Sequence, residues 1–131
     1  MIQFVTDTHC LIWYLTGDSK ISPTVKGIFL DADNLKSTIV IPCIVFFELL
    51  YLTEKKKIQV DFGFFIRMIR FSENYKVEPL CLPIIEKCRT ISRERVADPW
   101  DRLIAATSLH LKLPLLSKDA NLQNIGLEVV W

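Results

Sequence analysis

Short apolar runs alternate along the chain with longer segments in which apolar residues recur at helical spacing. The β-branched and aromatic run at residues 2–6 predicts a buried first strand. Similar short runs predict four further strands at residues 38–41, 76–80, 113–116 and 127–130. These runs would be enough to form one small sheet.

The segments between the strands have the spacing and the end signals of helices. Ser22 and Pro23 combine an N-cap residue with a proline at the first helical position. Phe62, Phe65 and Ile69 lie on one face of an amphipathic helix. The predicted helices cover residues 9–15, 23–31, 42–57, 61–74, 82–91 and 98–112, with a helical turn at 120–124.

Strands that alternate with helices predict an α/β fold with a parallel sheet flanked by helices. The chain has 131 residues, half of them hydrophobic, without a linker or repeat, which predicts a single domain over residues 1–131. In such folds, ligands bind beyond the C-terminal ends of the strands. Asp7 follows the first predicted strand and Asp119 follows the fourth, so we expect both at that edge.

Two more carboxylates lie on the first turn of a predicted helix, in the sequence Asp-Pro-Trp-Asp at residues 98–101. Asp98 fits the N-cap and Asp101 follows one turn later on the same side of the helix. N-capping alone would explain Asp98, and it is also an alternative for Asp7 and Asp119. Asp101 has no such local explanation.

Glu48 is the only charged residue in the apolar segment 38–53. A carboxylate on so apolar a helix is costly to bury unless it is paired or bound to a cation, although it could also reach solvent or pair with an arginine. Converging carboxylates repel each other unless a cation neutralises them, and hard oxygen ligands suit Mg²⁺ or Mn²⁺. We therefore predict a metal-dependent hydrolase that uses Asp7, Glu48, Asp101 and Asp119.

Other classes of site lack the residues they need. His9 and His110 have no His or Cys partner at ligand spacing, so zinc is not expected. His9 could approach the substrate, but a position behind the metal ligands or at the surface explains it as well. The loop after the first strand has no glycine and cannot form a phosphate-binding cradle. A phosphoaspartate phosphatase needs a second aspartate two residues after Asp7, where His9 stands, and a receiver domain needs an acidic pair there.

The net charge is +1, so any contact with nucleic acid must come from local patches. The lysine run 55–57 could equally be a solvated helix end. The four cysteines form no C-x-x-C pair, which predicts buried free thiols in a reducing compartment. The other basic candidates are Arg67, Arg70, Arg89, Arg93 and Arg95.

No signal peptide is visible at the N-terminus. The longest apolar segment, residues 39–52, contains Pro42 and Glu48 and is too short to span a bilayer. We therefore expect a soluble, cytoplasmic protein with no membrane partner.

Several of these segments together resemble the PIN-domain ribonucleases, specifically the VapC-type toxins of bacterial and archaeal toxin–antitoxin pairs. The resemblance extends over essentially the whole chain. It rests on Asp-Thr-His-Cys-Leu-Ile-Trp at residues 7–13, Glu48, and the segments 98–105, 115–119 and 126–131.

The resemblance implies a Rossmann-like PIN fold and metal-dependent endonucleolytic cleavage of RNA, restrained by a cognate antitoxin protein. It also implies a homodimer. Asp7, Glu48, Asp101 and Asp119 match the acidic Mg²⁺ site of the family, with Asp98 as an adjacent acid. The alternative is a non-catalytic module of the same fold that binds protein or RNA.

The chain departs from the family pattern around Glu48. The subgroup usually has a more polar approach and a Trp-Glu pair, whereas Phe46 and Phe47 precede Glu48 here. We therefore expect substrate access beside Glu48 to differ. The apolar side chains of Phe46, Phe47, Leu50 and Tyr51 are explained equally well by core packing and by contacts with a second copy or an antitoxin.

Overall fold

A single five-stranded sheet forms the centre of the computed structural model, which describes residues 1–131. Every neighbouring pair of strands is parallel. The predicted α/β class with a parallel sheet is therefore confirmed. The strands are β1 (Ile2–Thr6), β2 (Ser37–Pro42), β3 (Tyr75–Glu78), β4 (Leu115–Leu116) and β5 (Val129–Val130), in the spatial order β3-β2-β1-β4-β5.

Six helices connect and flank these strands. Most of them begin at a side chain that caps the first turn, as where Ser22 Oγ accepts a hydrogen bond from the Val25 N–H at 3.1 Å. The helices are α1 (Thr8–Thr16), α2 (Pro23–Asp33), α3 (Cys43–Glu54), α4 (Phe62–Arg70), α5 (Leu82–Cys88) and α6 (Pro99–Leu111), and Ala120–Leu122 forms a 3₁₀ turn.

Several predicted element ends are wrong by a few residues. Pro42 closes β2 instead of opening α3, because its ψ of 137° is extended. The helix predicted at 61–74 ends at Arg70, since the buried Asn74 accepts a hydrogen bond from the Ile39 N–H and donates its side-chain amide to Ala32 O. Strands β4 and β5 each contain two residues instead of the four predicted.

Arg102 joins α6 to α5. Its Nη2 donates to Cys88 O at 2.8 Å and to Ile91 O at 2.9 Å, so α5 ends at Cys88 rather than at the predicted residue 91. Arg102 therefore pairs with backbone carbonyls and not with a neighbouring acid. This contact fixes the start of α6, where two of the predicted site residues lie.

Twenty-four buried apolar residues form the core between the sheet and its helices. Phe29, Leu11, Ile84 and Ile104 are among the largest of its fully buried side chains. Ala105 and Ala106 are completely buried on α6, which packs against β1, and such small side chains permit close packing.

The cysteines are all free, as predicted, but they are not all buried. Cys10 is buried, Cys81 and Cys88 are partly buried, and Cys43 is exposed because it starts α3 at the surface.

The helices are all too short, or not apolar enough, to traverse a bilayer.

Candidate functional site

All of the predicted acids lie at the edge of the sheet where its strands end. Asp7 directly follows β1, Glu48 lies on α3 just after β2, and Asp119 follows β4. Asp98 and Asp101 open α6, which starts at the same edge. The charges of the other four all act on Asp101, so the structure brings the whole predicted set together around one residue.

Three of these aspartates cap a helical turn, as the capping alternative predicted. The Oδ1 atom accepts a backbone N–H of the following turn at 2.9 Å for Asp7, at 2.9 Å for Asp119, and at 2.8 and 3.1 Å for Asp98. The Oδ2 atoms of Asp98 and Asp119 accept no hydrogen bond from the protein. Capping therefore leaves an oxygen of each carboxylate available to a metal.

Glu48 is oriented by a threonine from another helix. Its Oε1 accepts a hydrogen bond from the Thr8 hydroxyl at 2.6 Å, and the Thr8 side chain is buried next to Asp7. No arginine pairs with Glu48, because the only salt bridge in the molecule joins Lys20 and Asp18. Sequence reasoning missed Thr8, whose only signal was its position beside Asp7.

The electrostatic consequence of this clustering is clearest at Asp101. Burial raises its pKa from 3.8 to about 6, and the charges of Asp98, Asp119, Glu48 and Asp7 contribute in the same direction. Unlike the capping aspartates, Asp101 accepts no hydrogen bond to offset this effect. None of the five acids forms a salt bridge with a lysine or arginine of the protein.

Ser117 connects two of the acids. Its Oγ accepts a hydrogen bond from the Asp119 N–H at 3.1 Å, which shapes the loop after β4. Burial raises the pKa of the Asp7 carboxyl, while hydrogen bonds from Ser117 and Cys10 act in the opposite direction. Ser117 therefore shapes the turn that carries Asp119.

A divalent cation fits the donor chemistry of this cluster. The available ligands are carboxylate oxygens that form no salt bridge with the protein, and hard ions such as Mg²⁺ prefer such oxygen ligands. No three His, Cys, Asp or Glu side chains already lie close enough to hold one ion between them. The residues fit such an ion, but the ligand set is not preassembled.

A cavity of about 490 Å³ opens in front of three of the acids, Asp7, Asp101 and Asp119, whereas Glu48 and Asp98 do not line it. His9 is exposed at its rim, with its ring centroid 5.7 Å from that of Trp13, so it occupies a surface position. The cavity is lined by Asp7, His9, Trp13, Asp101, Lys118, Asp119 and Ala120.

A second cavity, of about 300 Å³, is lined by Glu48. Phe47, Tyr51 and Trp100 complete its lining and are 56%, 47% and 39% exposed, whereas Phe46 is buried in the core. The apolar surface predicted beside Glu48 is therefore present in part. Trp100 was not predicted to belong to it, because it comes from a distant part of the chain.

The basic candidates lie mostly in solvent. The lysine run 55–57 is exposed after the end of α3, as expected of a helix end, and Lys55 Nζ lies 4.5 Å from the ring centroid of Tyr51. The side chain of Arg95 donates to Asn124 O at 3.1 Å. None of these residues lines the cavity in front of the acids.

Comparison with known proteins identifies, over nearly the whole chain, the family that the sequence resembles. The family model of the PIN domain matches residues 4–127. Ribonuclease VapC22 of Mycobacterium tuberculosis is 23% identical over 124 residues, which cover 95% of this chain and 92% of that protein.

Solved structures show the same fold. VapBC2 from Rickettsia felis, bound to a DNA fragment from its promoter, matches with a TM-score of 0.69 at 17% identity and covers 98% of each chain. A toxin–antitoxin complex from Klebsiella pneumoniae matches with a TM-score of 0.67 at 19% identity and covers 97% of this chain and 95% of that one.

Proposed function

The chain belongs to the PIN-domain family, and from this premise we propose that it is a VapC-like endoribonuclease, the toxin of a toxin–antitoxin pair. Its proposed reaction is Mg²⁺-dependent hydrolysis of RNA phosphodiester bonds, with Mn²⁺ able to replace Mg²⁺. The observation that carries this proposal is the gathering of four carboxylates around that of Asp101, none of the five forming a salt bridge with the protein. The name of the ribonuclease similar to this chain supports RNA as the substrate.

In this mechanism, Asp7, Glu48, Asp101 and Asp119 would hold the metal, with Asp98 beside them. A bound divalent ion supplies charge neutralisation for the phosphodiester and a more acidic water nucleophile. Asp101 is ionised above about pH 6, so it is available as a ligand at neutral pH.

The remaining contribution of the chain is orientation. The Thr8 hydroxyl fixes one oxygen of Glu48, and Ser117 fixes the loop that carries Asp119. Such hydrogen bonds to ligating carboxylates reduce the freedom that must be lost when a metal binds. The carboxylates themselves repel the RNA backbone until a cation is present, which makes cleavage depend on the metal.

We also propose a cognate antitoxin as the partner, supported by the toxin–antitoxin complex that shares the fold. The proposed assembly is a homodimer, and the proposed compartment is the cytoplasm, where RNA is available and the four free thiols stay reduced. Light scattering of the purified chain, alone and with its antitoxin, would measure both assemblies.

The test is cleavage of a mixed RNA panel by antitoxin-free protein with Mg²⁺, with Mn²⁺ and with EDTA. We expect cleavage with either metal, none in EDTA, and loss of cleavage in Asp101→Asn. Asp31→Asn is the matched control, because Asp31 is exposed near the end of α2, away from the acids. Cleavage that persists in EDTA or in Asp101→Asn would contradict the proposal.

A non-catalytic PIN-fold module that binds RNA or protein is the second candidate. The net charge of +1 and the absence of a preassembled ligand set favour it. Calorimetric titration with Mn²⁺ separates the two functions, because only the nuclease needs a metal at these acids. RNA binding without metal affinity and without cleavage would support the module.

A further inference from the structure

Lys118 is the only lysine or arginine that lines the cavity in front of the acids. It directly precedes Asp119 and shares the cavity with two other aspartates, yet it forms no ion pair with any of them. An unpaired lysine so close to several carboxylates needs an explanation, since the opposite charges attract each other.

Two tryptophans lie beside the ammonium group of Lys118. The Lys118 Nζ atom lies 6.0 Å from the ring centroid of Trp13 and 5.9 Å from that of Trp131. The two indole rings pack edge to face with their centroids 5.8 Å apart. Because ring faces attract cations, this pair offers the ammonium group a position away from the carboxylates.

This arrangement has two consequences for the cavity. The carboxylates stay free to bind a metal, since Lys118 does not neutralise them. At the same time, a positive charge remains at the rim of a cavity whose other charged side chains are acidic. An approaching polyanion would meet this charge next to the place where the metal binds.

We propose that Lys118 binds a backbone phosphate of the RNA next to the bond that is cut, and that Trp13 and Trp131 position its ammonium group for this contact. The proposal rests on the proposed ribonuclease function. Lys118 is a substrate-binding residue in this scheme, and the two tryptophans act through it. The scissile phosphate itself would contact the metal that the carboxylates would hold, and not Lys118.

The test measures how the affinity for RNA depends on salt. Asp101→Asn serves as the inactive background, and the probe is a short single-stranded RNA of mixed sequence that the wild type cleaves. Loss of one phosphate contact lowers the slope of log K against log [NaCl] by about 0.7 for a single strand. We expect this change for Lys118→Met, which keeps the length of the side chain, and a retained slope for Lys118→Arg.

Lys36→Met is the matched control, because Lys36 precedes β2 at the opposite edge of the sheet and should leave the slope unchanged. A second arm adds Trp13→Leu. If Trp13 acts through Lys118, Trp13→Leu weakens binding in the Lys118 background and has no further effect once Lys118 is methionine. A purely structural role for Trp13 would give the same loss in both backgrounds.

An unchanged slope in Lys118→Met, together with cleavage by the wild type, would overturn this inference and leave the proposed function intact. Conversely, a wild type that neither binds nor cleaves any RNA of the panel would overturn the proposed function and this inference with it. Lys118 is exposed, so its replacement should not affect folding, and unfolding curves of the variants would check this directly.

Discussion

Asp101 is the residue on which the charges of the site converge. Burial and four neighbouring carboxylates raise its pKa to about 6, so the folded protein holds this proton more tightly than the unfolded chain does. The stability contributed by protonated Asp101 is present at low pH. It is lost as the pH rises from the ordinary value of 3.8 to about 6.

We therefore expect Asp101→Asn to raise the free energy of unfolding of the metal-free protein at pH values above about 7, by about 1 kcal/mol after allowance for the partial exposure of the side chain. Near pH 3 the variant and the wild type should be equally stable, because Asp101 is then largely protonated in both the folded and the unfolded chain. Urea denaturation with EDTA at the two pH values measures the difference. If Asp101→Asn changed the free energy of unfolding equally at both pH values, the charge of Asp101 would not be what limits stability.

Thr8 acts on the site through a single hydrogen bond, the one to Glu48. Thr8→Val keeps the shape of the side chain but leaves Glu48 Oε1 without this donor. Loss of such a supporting bond typically costs about 10- to 100-fold in metal affinity or activity, and we expect a decrease of that size in Mn²⁺ affinity. Calorimetric titration measures it.

The control for Thr8→Val is Thr53→Val on the same helix as Glu48. The Thr53 hydroxyl donates to Leu49 O at 2.9 Å and does not contact the acids. We expect its replacement to leave metal affinity unchanged. If both variants lose affinity equally, the effect would come from α3 as a whole and not from the orientation of Glu48.

At the scale of elements, the same residue can begin a helix and bind a ligand. The N-terminus of a helix presents free N–H groups, and an aspartate there satisfies them with one oxygen. The structure shows such a capping oxygen at Asp7, Asp98 and Asp119, each of which starts a helical turn at the edge where the strands end. The start of a helix thus places each acid and also holds it in position.

Substitutions of Asp98 can separate its capping of α6 from its proposed contribution to metal binding. Asp98→Ala removes the cap of α6 and should lower the free energy of unfolding by about 1 kcal/mol, whereas Asp98→Ser keeps a capping oxygen and should stay within a few tenths. We expect Asp98→Ser to lose about tenfold in Mn²⁺ affinity, because the charge is gone. Unchanged affinity in a stable Asp98→Ser would assign Asp98 to capping alone.

The order and type of the elements could be predicted because each follows from local spacing and capping. Their ends depend on partners that are distant in sequence. Arg102 of α6 binds the carbonyls at the end of α5, and the side chain of Asn74 donates a hydrogen bond to Ala32 O. The same limit applies to the site. The acids could be grouped by the rule for parallel sheets, but the contact of Thr8 with Glu48 spans 40 residues and has no local signal.

At the scale of the whole molecule, the balanced composition conceals an uneven charge distribution. The net charge is +1, yet five acids share one edge of the sheet while the only salt bridge lies elsewhere. Folding therefore brings these like charges together at a cost in stability. A cation that binds the cluster should stabilise the fold as a whole, because it binds the folded state alone.

We expect Mg²⁺ to raise the thermal unfolding midpoint of the wild type. The stabilisation should approach about 2.7 kcal/mol at a hundredfold excess over the Kd. It should be larger above about pH 7 than near pH 5, because Asp101 must lose its proton before it binds the ion.

Differential scanning calorimetry at matched ionic strength, with NaCl in place of MgCl₂, separates binding from screening. The increase should largely disappear in Asp101→Asn. If NaCl stabilises the protein as much as MgCl₂ does, the acids bind no metal, and the fold tolerates their repulsion by screening alone.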